Sequence, residues 1–200
     1  MTQGDQATAL DYVEALGAAR KAKRAISVFL IIVVLCEMGI FFAMHFGTPA
    51  AMVMGPSDLA DFLRVMTGIF EMAGVIGPIL LAADLALILN ILLLGRLIGV
   101  SRIVSAFFWC VLLWAMCFPW QSFLANYTFP VPGVLFTWAE LQARARWTHG
   151  NVGGAEEFLR WSRFVVYPIG AIMVLTMVQL KSTRGLKMAQ GEIKRERPNA

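Results

Sequence analysis

Residues 25–46 read AISVFLIIVVLCEMGIFFAMHF, and this stretch decides the fold. It holds one acid, Glu37, and one histidine, His45. A helix needs about 20 mainly apolar residues to cross a bilayer's hydrocarbon core. In lipid the backbone must bond to itself, so a run of this length reads as a spanning helix. Before it, residues 1–24 are polar and end in Arg20, Lys21, Lys23 and Arg24. Leu10, Val13, Leu16 and Gly17 share one side of a helix, so 1–24 is expected to be a cytoplasmic amphipathic segment. A secretory leader has a short basic start and a shorter apolar run. The first run therefore reads as a retained anchor.

Three similar runs follow. The second covers about 68–98, with Gly77-Pro78 expected to kink it. The third covers about 103–120, and the fourth about 164–180. The chain is 200 residues, 58% apolar and 15% charged, with a mean hydropathy of +0.69. Soluble domains carry about 25% charged residues. This balance excludes a soluble enzyme core, a disordered chain and a disulfide scaffold. The expected fold is an all-α integral membrane protein, a four-helix transmembrane domain over 25–180 with a basic cytoplasmic tail at 181–200.

Two short amphipathic interfacial helices are expected on the outer side. One follows Ser57, with Asp58 and Asp61 in its first turn and Leu59, Phe62, Leu63 and Met66 on one face. The other starts at Thr137-Trp-Ala-Glu140, which has the form of a capping box. It carries Trp138, Arg144, Arg146 and Trp147, residues suited to the lipid headgroup level. With Trp120 and Trp161, these tryptophans form an expected interfacial belt.

Orientation comes from the basic residues. With both termini in the cytoplasm, twelve of the 17 Lys and Arg face inward and five face outward. That asymmetry follows the positive-inside rule for an inner or plasma membrane. The net charge of +4 is spread over flanks of the apolar runs, so no nucleic-acid partner is expected. The bilayer is the first partner, and other membrane subunits or further copies of the chain are the next.

The acids inside the spans carry the sharpest chemical signal. Glu37 and Asp84 lie on consecutive antiparallel helices, and both are expected near mid-membrane at one depth. A charged carboxylate there costs at least about 2.5–3.5 kcal/mol. No Lys or Arg is expected in the core of any span to neutralise either one. On helix two, Gly77, Asp84 and Gly95 fall within about 20° of one direction, and Gly99 about 40° away. Asp84 is thus expected on the small-residue face that meets another helix, with Gly95-x-x-x-Gly99 as a close-packing motif. Asn90 points nearly the opposite way.

Weaker signals have bland explanations. His45 and His149 are the only histidines and fall on one side, yet no haem or metal motif accompanies them. Cys36, Cys110 and Cys117 lie inside apolar runs without a CxxC pair and read as small hydrophobes. Glu71 is expected in the outer interfacial zone. Asn126-Tyr127-Thr128 fits a glycosylation sequon on the outer side. No phosphate loop, nucleophile elbow, dinucleotide fingerprint or other enzyme signature is present, and no cofactor is expected. The preferred function is an accessory or scaffold subunit of a larger membrane complex. The alternatives are a proton- or cation-coupled transporter using Glu37 and Asp84, and a haem- or metal-binding redox subunit using His45 and His149.

Overall fold

The computed structural model describes residues 3–46, 58–118, 120, 133–146 and 154–191. All regular structure among them is helical. Helix α1 spans Gln3–Phe46, α2 Asp58–Leu94, α3 Val100–Cys117, α4 Trp138–Arg146 and α5 Gly154–Trp161. A π-helical turn, Ser162–Val166, leads directly into α6, Tyr167–Ala189. Four segments are long and apolar enough to cross a membrane: Tyr12–Phe46, Asp61–Leu94, Val100–Cys117 and Glu157–Ala189.

The long helices form a closed ring. Helix α1 packs on α2, α2 on α3, α3 on α6, and α6 back on α1. Three apolar clusters stack along its axis. The first joins Leu16 and Ala19 to Ile88, Leu92, Ile103 and Leu186. The middle one is built around Leu30, Val34, Leu81, Leu85, Cys110 and Leu175. The last joins Ile40, Phe41 and Met44 to Phe136, Leu141 and Phe164. We call the end that carries Arg20–Arg24 the basic end and the other the far end.

Several boundaries differ from the sequence expectation, each for a local reason. The segment 1–24 and the first span are one helix from residue 3, because Leu16 and Ala19 continue the buried stripe of Leu30 and Val34. The amphipathic stretch after Ser57 is not a separate interfacial helix but the first turns of α2. The Thr67 hydroxyl donates to the Leu63 carbonyl at 2.8 Å there. Gly68 alone costs only about 1 kcal/mol and does not break the helix. Helix α2 also continues through Pro78.

The Gly95-x-x-x-Gly99 pair is not a helix-packing motif. Both glycines sit in the turn between α2 and α3, where Arg96 takes φ 50° and Gly99 φ 113°. Gly99 nevertheless makes a close approach, since a Cβ on it would strike the Gly185 carbonyl on α6. Gly77 makes the equivalent contact between α1 and α2, with the Leu30 side chain lying directly over it.

Candidate functional site

The Leu30–Gly77 contact sets the register of the two antiparallel helices, and the register places the acids. Lys23 lies seven residues before Leu30, and Asp84 seven after Gly77, so these two are level. Glu37 lies seven residues after Leu30, level with Phe70 and next to Glu71. At 1.5 Å per residue, Glu37 and Asp84 are separated by about 21 Å along the axis. Leu30, Val34, Leu81 and Leu85 fill the space between them. The single-depth expectation therefore fails, and two polar clusters stand in its place. Sequence could not supply this, because hydropathy fixes where a span lies and not how it slides against its neighbour.

The cluster at the basic end is organised by Lys23, which is 2% exposed. Its Nζ donates to Ser182 Oγ at 2.8 Å and to Thr183 Oγ1 at 3.2 Å on α6. The Ser182 hydroxyl in turn donates to the Val178 carbonyl at 2.6 Å. Gln179 Nε2 donates to Ser27 Oγ and to the Lys23 carbonyl. Asp84 faces this group from α2 and interacts electrostatically with Lys23. It is buried, and its Oδ2 has no hydrogen-bond partner. Lys23 is thus an internal base, although it stands in sequence among the flanking cations Arg20, Lys21 and Arg24. The signal was present: Lys23 falls on the same helical stripe as Leu16, Ala19, Ser27 and Leu30.

The far-end cluster is organised by Arg163, 6% exposed, on the π turn. Its Nε and Nη2 fork onto the two oxygens of Glu140, each at 3.2 Å. Bidentate pairs of this kind are strong and orient both partners. Arg163 Nη2 also donates to the Leu135 carbonyl at 2.8 Å. The stretch Gly133–Phe136 has no regular structure and is buried throughout. Its Val134 N–H donates to the Met116 carbonyl at the end of α3, and Leu135 covers Gly74. Buried irregular backbone needs protein partners for its polar groups, and Arg163 and Met116 supply them for the Leu135 carbonyl and the Val134 N–H.

Thr137 caps α4 as its sequence predicts, accepting the Glu140 N–H at 3.2 Å. The Glu140 carboxylate meanwhile holds Arg163. Glu37 lies behind this pair at 1% exposure, and neither of its oxygens has a hydrogen-bond partner. Its electrostatic neighbours are Glu71, Arg163 and Glu140. The cluster therefore holds three acids to one base, with two buried acceptor oxygens that no donor reaches among the described residues.

The remaining expected residues are dispersed. Asn90 is exposed on α2. His45 stacks on Phe41 at 5.7 Å and meets Trp161 edge-on at 5.3 Å, an aromatic nest rather than a ligand shell. Among the described residues no group of three His, Cys, Asp or Glu could hold a metal ion. Trp120 is exposed and donates through Nε1 to the Ala115 carbonyl at 2.7 Å. Trp138 and Trp161 pack on the far-end core. Trp147 and His149 lie outside the described residues, as do the side chains of Arg144 and Arg146 and the sequon at Asn126. Comparison with protein families, curated proteins and solved structures finds no match to this chain in any of the three.

Proposed function

We propose that this chain is a structural subunit of a larger assembly in an inner or plasma membrane, with both termini cytoplasmic. The observation that carries the proposal is a mismatch of surfaces at the basic end. On α1, Arg20, Lys21 and Arg24 mark a polar boundary, with Arg20 half-buried and the other two exposed. On α2, the same height and beyond remains apolar. Leu87, Leu93 and Leu94 are exposed, Leu94 at 76%. Leu94 lies ten residues past Asp84, about 15 Å beyond the level of Lys23. One flat bilayer edge cannot suit both sides at once. A partner covering the α2 side resolves the mismatch, and exposed Asn90 within that apolar surface offers it a hydrogen bond.

The interior supports the same reading. Lys23 and Arg163 are spent on tying helices together. The packed apolar layer between Asp84 and Glu37 offers no support for a shared transport path. The short helices α4 and α5 then sit near the outer headgroups, where exposed Phe158 and Leu159 meet lipid. The test is extraction of the native protein in a mild detergent, followed by size and mass analysis. Other chains held in fixed ratio are expected. A lone monomer or a small homo-oligomer overturns the proposal.

A further inference from the structure

Helix α1 has a second face that the bundle does not use. Lys23, Leu30 and Glu37 point inward, while Gly17, Lys21, Arg24, Val28 and Ile32 run along the opposite stripe. Where this stripe meets the end of α6, the structure has an open groove of about 780 Å³. Its rim is basic, formed by Arg20, Lys21 and Arg24. Its inner length is apolar, formed by Val28, Phe29 and Ile32, each about half exposed. Gln190 closes one side, and Arg20 Nη1 donates to its Oε1 at 3.4 Å. Gly17 ends the groove, and a Cβ there would meet nothing within 4 Å. The exposed acid Glu14 stands about one turn past Gly17, outside the lining.

We propose that this groove binds an anionic phospholipid of the surrounding bilayer. The charge and the polarity run in the order such a lipid requires. Three cations occupy the headgroup position, and the apolar lining starts within one turn of Arg24, toward the middle of the span. From Arg24 to Ile32 the axial rise is about 12 Å, enough for the upper part of one acyl chain. A basic flank that only fixes topology needs the charges but no groove. The lining is one face of α1 with Gln190 at its side, and cations placed at the end of a spanning helix attract anionic headgroups. The site is separate from the partner surface on α2, so either proposal stands without the other.

The test is native mass spectrometry of the purified full chain in detergent, titrated with phosphatidylglycerol or phosphatidylcholine of matched chains. Phosphatidylglycerol is expected to be retained at least about tenfold better, since each basic group near a membrane surface adds roughly fivefold. The triple variant R20Q/K21Q/R24Q removes that preference. Ala25→Trp, in the lining between Arg24 and Val28, fills the groove with the charges intact and lowers phosphatidylglycerol retention by a similar factor. Ala25 is exposed and no core contact is lost, so the melting temperature stays at the wild-type value. Equal retention of the two lipids by the wild type overturns the proposal. So does full phosphatidylglycerol retention by Ala25→Trp, which would leave surface charge alone as the cause.

Discussion

Removing the Lys23 ammonium takes a donor from Ser182 and Thr183 and a counter-charge from Asp84. Hydrogen bonds from charged groups contribute about 1.5–3 kcal/mol each, and a buried charge left alone costs more. Lys23→Met is expected to destabilise the bundle by about 2–4 kcal/mol, read as a lowered melting temperature in detergent. The double variant Lys23→Met/Asp84→Leu is expected to recover much of that loss, because no charge is then left unpaired. A double variant no more stable than Lys23→Met would show that the two residues are not coupled. Glu37 behaves in the opposite way. Its oxygens have no hydrogen-bond partner in the bundle, so Glu37→Leu removes two unsatisfied acceptors at similar volume. Melting at or above the wild-type temperature is expected, and a drop of several degrees would reveal a donor at this site. The two acids look alike in sequence, each a carboxylate deep in an apolar run. Only the helix register separates one that faces a lysine from one set near two acids and an arginine already held by Glu140.

At the scale of elements, the glycines divide by what surrounds them. Gly99 takes φ 113°, where an L side chain is strained, and its Cβ would strike the Gly185 backbone. Gly68 lies inside α2 with open space around its Cβ position. Gly99→Ala is expected to cost at least about 1–3 kcal/mol, from strain alone, while Gly68→Ala gains about 0.5–1 kcal/mol of helix propensity. Thermal melting of the two variants under one condition checks both signs; equal effects would mean the α2–α3 turn is not held as described. The turn shows why some elements were legible and others not. Four spans could be read from the chain because apolar run length is a direct physical requirement of the bilayer. The Thr137 cap was equally readable, since its hydrogen bond joins residues three apart. Gly95 and Gly99 match a helix-packing spacing, yet the spacing does not reveal that the helix ends between them. The buried stretch Gly133–Phe136 carries no local signal of its burial. Its place depends on Arg163, nearly thirty residues away on a π turn that no local pattern announces.

At the scale of the whole molecule, the question is which surface faces lipid and which faces protein. Apolar exposure alone cannot decide, because lipid and a partner helix both tolerate it. The discriminating residue is Asn90, a polar side chain exposed among Leu87, Leu93 and Leu94. Facing lipid it leaves its amide unsatisfied, whereas facing a partner it makes an interhelical hydrogen bond. Such bonds contribute about 1 kcal/mol on average, roughly a fivefold change in association. Asn90→Leu is therefore expected to weaken retention of the co-extracted chains about fivefold. It should leave the melting temperature of the isolated bundle unchanged or slightly raised, since Asn90 is exposed and makes no side-chain hydrogen bond among the described residues. The paired control is Ile79→Leu, exposed on the same helix but on the far-end side of Asp84, which should change neither quantity. Full retention by Asn90→Leu would remove α2 as the docking face. The apolar extension from Leu87 to Leu94 would then belong to a bilayer edge that dips lower along α2 than along α1.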